Sequence, residues 1–220
     1  TEKNLANARE LFESYLNNVF TQKGEGWVDM KVEEFADTCL GKMLDKNKNK
    51  GNFKPYLRNL NIQWFHVNEA DLLEMRFEER EFGRYTVMNG DLLICEGGYP
   101  GRAAIWGKDE IIFFQKALHR VRGKTQNHNY WLLYYLYISD ITGILKNYYT
   151  GAGIQHFTGK SLKRFVVPIP PELEMDIHLR KFKQLHNETR KLESISQIKL
   201  LKLNELKQSL LQKAFAGQLS

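Results

Sequence analysis

Between Pro171 and Gly217 the chain contains neither proline nor glycine, and its apolar residues return at helical intervals. Leu185, Leu192, Leu203, Leu206 and Leu210 follow three-, four- and seven-residue steps, with Phe182, Ile195 and Ile198 filling the same side. The pattern predicts one helix from about Glu174 to Phe215, roughly 60 Å long at ~1.5 Å per residue. Such a rod outruns any core this chain can build, so its apolar stripe requires a partner helix. A second helical pattern opens the chain: Leu5, Ala8, Leu11, Phe12, Tyr15, Leu16 and Val19, ended by Lys23-Gly24-Glu25-Gly26.

The stretch between these helices is mixed. Short β-like runs fall at Trp27–Val32, Asn61–Val67, Asp91–Cys95, Ala103–Trp106, Ile111–Phe114 and Ala117–Val121, separated by turn signals such as Asn89-Gly90, Gly97-Gly98 and Pro100-Gly101. One helix is predicted from about Asn129 to Lys146. The expectation is an α+β chain: a β-rich head with short helices, and a long C-terminal helix forming a coiled coil with the N-terminal helix or a partner chain. The boundaries expected are 1–22, 23–171 and 172–220.

Composition sets limits on this picture. In 220 residues, 42% hydrophobic with 12% aromatic supports a true core and argues against disorder. No apolar run approaches the ~18 residues of a membrane span, and the polar start Thr1-Glu2-Lys3-Asn4 carries no signal-peptide pattern. Cys39 and Cys95 suit neither a disulfide framework nor a metal site, and read as reduced thiols of a cytoplasmic protein. The net charge of +6 suggests a polyanion partner without establishing one. Lys42, Lys46, Lys48, Lys50 and Lys54 crowd an Asn- and Gly-rich segment that reads as an exposed loop, and Lys160, Lys163 and Arg164 form a second cluster. Each cluster alone is equally a solvated face; both lie beside glycine turns, which favours phosphate contact.

Catalytic motifs fail on inspection. Thr158-Gly159-Lys160-Ser161 imitates the end of a P-loop, but Ile154 stands where the motif needs its first glycine. Gly151-Ala152-Gly153 opens like a dinucleotide fingerprint, yet His156 replaces the third glycine. His66, His119, His128, His156, His178 and His186 have no zinc-ligand spacing. No Asp/Asn-Pro-Pro-aromatic tetrad of an amino-methyltransferase is present, and no metal or cofactor is expected.

Two glycine-bearing segments stand out: Asp91 to Trp106, with Glu96-Gly97-Gly98-Tyr99-Pro100-Gly101-Arg102 at its centre, and Gly151 to Lys163, a donor-rich loop expected to be mobile. Together with Phe114 to Val121, Pro168-Ile169-Pro170-Pro171, Gly41 to Lys46, Pro55 to Asn59 and Leu206 to Gly217, they closely resemble the specificity (S) subunit of type I restriction–modification systems. Glu172 and Met175 depart from the family's Leu and Gln at the rod's start. The family has two heads and this chain one; Ala8 to Leu16 resembles the end of the family's central helix. The chain is then either a C-terminal half or a single-head polypeptide, and the missing initiator Met favours the half.

The resemblance implies sequence-specific recognition of double-stranded DNA on behalf of separate methylation and restriction subunits, with no catalysis of its own. S-adenosylmethionine would belong to the methylation subunit. A helix of this length could separate two heads by nearly two turns of B-DNA at ~34 Å each, giving a bipartite target. Lys46, Lys48, Lys50, Lys54, Thr158, Lys160, Lys163 and Arg164 are expected at phosphates, and Tyr99, Arg102, Gln155 and His156 at base edges, on turns made by Gly97 and Gly98. Gln115, Lys116 and His119 read as structural. Leu185, Leu192, Ile195, Leu203, Leu206 and Leu210 are expected to face a partner helix, possible homodimers included. The alternative is a coiled-coil scaffold with a protein-binding head.

Overall fold

The computed structural model describes residues 2–45 and 47–215. In chain order the elements are α1 (Glu2–Thr21), β1 (Val28–Lys31), α2 (Val32–Phe35), β2 (Ala36–Leu40), β3 (Asn52–Leu57), β4 (Ile62–Gln63), β5 (His66–Val67), β6 (Leu73–Phe77), α3 (Phe82–Tyr85), β7 (Thr86–Val87), β8 (Leu92–Cys95), β9 (Ala103–Ile105), β10 (Ile112–Phe114), β11 (Leu118–Gly123), α4 (Gln126–Ile141), α5 (Gly159–Arg164), β12 (Val166–Ile169) and α6 (Glu172–Phe215). Among the described residues these elements group into two compact units, one within 20–179 and one of 2–19 with 180–215. No described helix is long and apolar enough to cross a membrane.

The larger unit is built on two four-stranded sheets. One has the order β2-β11-β8-β9, antiparallel throughout; the other, β6-β3-β10-β7, is mixed, with β3 and β10 parallel. Leu93, Cys95, Ala104 and Leu118 from the first sheet, with Trp106 just after β9, meet Leu57, Val87, Ile112 and Phe114 from the second in one buried cluster. The helix α4 lies against β8, β9 and β11 with Trp131, Leu132 and Leu136 fully buried. It ends at Ile141, short of the expected Lys146, because Gly143 turns left-handed at φ 79° and stops it.

The lysine segment departs from the expected loop. Lys54 lies on β3, paired with Met75, and its ammonium sits 5.8 Å from the centre of the Phe82 ring. Lys42 is buried, bonded to the Glu81 carboxylate and, at 3.0 Å, to the Arg76 carbonyl, so its charge is spent inside the fold. Residues 159–164 form the helix α5 rather than a mobile loop. Its start is fixed by Thr158, whose hydroxyl accepts the Ser161 N–H at 3.3 Å.

In the smaller unit α1 runs antiparallel to the first part of α6. Tyr15 packs edge-on to Phe182, Phe12 against His186, the Thr189 hydroxyl donates to the Ala8 carbonyl at 3.3 Å, and Arg9 pairs with Glu193 at 2.6 Å. The expected helix pairing is present, but its seam follows Phe182, His186, Thr189 and Ser196, one face away from the leucines. Those steps of four, three and seven are a heptad seam, and the small Thr189 and Ser196 are buried in it. Leu185 is half-buried, whereas Leu192, Ile195, Leu203, Leu206 and Leu210 remain exposed.

Candidate nucleic-acid interface

The turn between β8 and β9 requires glycine. Gly98 and Gly101 have φ of 78° and 84°, and a Cβ on Gly98 would lie 2.4 Å from the Asn59 side-chain amide. Gly97 is buried, with the His156 ring where its own side chain would stand. Within the turn, Gly101 donates to the Cys95 carbonyl at 2.9 Å and Arg102 to that of Tyr99 at 3.2 Å. Burial pushes the Cys95 thiol up to about 11, so it stays protonated beneath the turn.

The second glycine segment sits directly against the first. Thr150 and His156 exchange backbone hydrogen bonds of 2.9 and 2.8 Å, closing a loop whose residues 151–155 are exposed. Phe157 then donates to the Glu96 carbonyl at 2.7 Å, while the Tyr149 hydroxyl donates to that of Pro100 at 2.7 Å. The buried His119 donates from Nε2 to the Phe157 carbonyl at 2.9 Å. Burial disfavours the charged His119 ring and lowers its pKa, partly opposed by that bond and by Glu96.

The sequence-predicted residues therefore separate into three groups. Gly97, Gly98, Tyr99 and Arg102 are brought together with Gln155, His156 and Thr158, and the chain runs on into Lys160, Lys163 and Arg164, all exposed on α5. Lys160 and Lys163 line an open groove of about 440 Å³ with Thr38, Leu40, His119 and Gly159. Lys48 and Lys50 are exposed, but they precede the opposite end of β3 from Asn59, and Lys54 is five extended residues, ~17 Å, from Asn59. Lys46 lies outside the described residues. The leucines of α6 belong to the other unit, Leu185 included.

Side chains within the first group differ in what they leave free. Gln155 is exposed. Thr158 is occupied as the cap of α5. Arg102 donates to the Asn59 carbonyl at 3.1 Å and lies 5.2 Å from the centre of the Tyr99 ring. Tyr99 donates to Asp140 at 2.9 Å, the chief cause of its raised pKa. Asn59, Asp140 and Tyr149 organise the turn and were not anticipated, because each reaches it from a distant part of the chain with no local motif.

Comparison with known proteins places this arrangement. The family described as type I restriction modification DNA specificity domain matches residues 24–202. The EcoKI specificity subunit of Escherichia coli (strain K12) is 26% identical over 200 residues, 87% of this chain and 43% of that protein. A solved chain of a type I R-M system, described for complex assembly and conformational transition, is similar over 99% of this chain and 54% of its own, at 20% identity and TM-score 0.79. The HsdS subunit from Thermoanaerobacter tengcongensis is similar over 99% and 53%, at 19% identity and TM-score 0.69. The chain thus spans about half the length of these relatives, and the two solved ones share its fold. Both glycine turns, the sheets that carry them and the first half of the long helix fall inside the matched residues, and the chain belongs to the family of type I restriction modification DNA specificity domains.

Proposed function

We propose that this chain recognises a short duplex DNA sequence and, without catalysis of its own, directs methylation and restriction subunits to it in the cytoplasm. One observation carries the reading: the Phe157 to Glu96 hydrogen bond joins the two glycine turns, and the chain leaving that joint presents Lys160, Lys163 and Arg164 to solvent. Lysines and arginines on such a surface bind phosphates without regard to sequence, and an amide such as that of Gln155 can pair with an adenine edge. Lys48 and Lys50 would extend the phosphate track. Two free thiols, Cys39 and Cys95, suit a reducing compartment.

The exposed stripe of Leu192, Ile195, Leu203, Leu206 and Leu210 would take a partner helix, from a second head, a second copy or a docked subunit, spacing two half-sites on DNA. The scaffold alternative predicts no salt-dependent DNA affinity, and the family match does not favour it.

The test is selection from a randomised duplex library with the full chain, alone and mixed with a type I methylation subunit. An enriched motif, altered by Gln155→Ala and only weakened by Lys160→Ala, is expected. Recovery of no motif under either condition would contradict the reading.

A further inference from the structure

The turn at Gly97 to Gly101 is held not only by the second glycine loop but also by an aromatic cluster that the sequence did not connect to it. The strands β4 and β5 form a hairpin in which Gln63 pairs with His66, leaving Trp64 and Phe65 as the two-residue turn. Phe65 has φ 62°, the sole non-glycine residue with positive φ among those described. A glycine or asparagine normally fills such a position, and a bulky residue is kept there only when its surroundings over-determine it.

The surroundings do so. The Phe65 N–H donates to the Ala103 carbonyl at 3.1 Å, directly after the β8–β9 turn. The Phe65 ring packs 4.9 Å from Tyr137 and 5.4 Å from Tyr134, both on α4. Trp64 packs edge-on to Tyr137 at 5.3 Å. The Tyr99 hydroxyl donates a hydrogen bond to Asp140 at the end of α4, 2.9 Å away, and so ties the turn to the helix against which Trp64 and Phe65 pack. Arg102 lies over the Tyr99 ring, 5.2 Å from its centre.

We infer that Asp140 is a positioning residue, which acts through Tyr99 to hold the Gly97–Gly101 turn and Arg102 in the shape that meets DNA. This rests on the DNA-recognition reading above. Asp140 need not touch DNA. Its effect is on which sequence is chosen rather than on phosphate affinity, since none of the lysines takes part in the Tyr99–Asp140 bond.

The test uses the full chain and two variants, Tyr99→Phe, which keeps the ring but removes the hydroxyl donor, and Asp140→Ala, which removes the acceptor. Amide exchange is followed at Gly101 and Arg102, whose N–H groups bond within the turn, with the β1–β12 pair as internal reference. Both variants should speed exchange at those two amides about tenfold, the scale of one lost hydrogen bond, and leave the reference unchanged. With the duplex enriched by wild type and a scrambled duplex as probes, the ratio of the two affinities should fall by about the same factor at an unaltered salt slope. Asp140→Asn, which keeps an acceptor oxygen, should restore both. Unchanged exchange in both variants, acceleration spread evenly over the fold, or an unchanged affinity ratio would each overturn the inference. If wild type enriches no motif, the recognition reading fails instead, and the exchange measurement, which needs no DNA, still decides whether Asp140 holds the turn through Tyr99.

Discussion

The backbone N–H of Phe157 meets the Glu96 carbonyl at 2.7 Å, so the two glycine turns are one structure although the chain reaches them separately. His119 secures the joint from below by bonding the other face of the same peptide segment, at the Phe157 carbonyl. Substitutions at the joint should therefore disturb both turns together.

Gly101→Ala is the sharpest probe of the first turn. Its φ of 84° disfavours any side chain, and the new Cβ would lie 2.3 Å from Leu145 Cδ2. A loss of about 2–4 kcal/mol is expected by chemical denaturation, combining left-handed strain with overpacking. Adding Leu145→Val should recover only the overpacking part. A full recovery would show that the backbone conformation costs nothing there.

Phe65 should invert the usual order of glycine and alanine. Elsewhere glycine destabilises relative to alanine, but at φ 62° alanine keeps the strain and loses the ring, whereas glycine loses the ring alone. Phe65→Gly should be more stable than Phe65→Ala by about 1–2 kcal/mol. Equal or reversed melting midpoints would contradict the positive φ.

Lys42 and Glu81 make an ion pair in the larger unit, the lysine buried and the carboxylate partly exposed. Burial raises the Glu81 pKa, but the hydrogen bonds from Lys42 and the Glu78 N–H, with the charges of Lys42 and Arg80, outweigh it and bring the pKa below 4.5. A carboxyl lowered in the folded state adds stability above its unfolded pKa and loses it as pH falls through the folded value. Lys42→Met should cost about 1–3 kcal/mol near neutral pH, since the Glu81 carboxylate left behind keeps some contact with water. The gap to wild type should narrow as pH is lowered through 4.5, once Glu81 takes up a proton; a gap independent of pH would argue against the pair.

His186 makes the pairing of α1 with α6 acid-sensitive. Burial against Phe12, reinforced by Arg190 and opposed by Glu193, holds its pKa down to about 4 from an ordinary 6.5. The unfolded state then binds the proton first, so the pairing is fully stable above about pH 6.5 and weakens as pH falls towards 4. Exchange protection of α1 amides should drop across that window in wild type. His186→Leu should remove the His-linked part of the drop.

The helices were legible because a 3.6-residue period survives without partners in view: α1 ends and α6 begins within two residues of expectation, and β8 to β11 fall where short apolar runs lie between glycine turns. The hairpin of β4 and β5 read as one strand because its turn is Trp64-Phe65, with no glycine or asparagine to mark it. The strand β3 was hidden by lysines and by Pro55, which is tolerated because β10 pairs only with Tyr56 and Leu57. Charge counting set Lys42 with its exposed neighbours, since sequence records a charge but not Glu81 waiting across the fold. The leucines of α6 announced a partner helix, but the face that α1 uses carries Thr189 and Ser196, whose small side chains permit close approach and give no hydrophobic signal. At the site, glycine spacing indicated both turns; that they touch depends on contacts between distant segments, which no local pattern encodes.

The most direct measurement is the salt dependence of duplex DNA binding by the full chain and by Lys160→Ala/Lys163→Ala. Wild-type affinity should fall linearly on a log–log plot, and the double variant should lose about two phosphate contacts, flattening the slope by roughly 1.8. A wild-type affinity indifferent to salt, or a slope unchanged by the double substitution, would contradict the assignment of this surface to DNA.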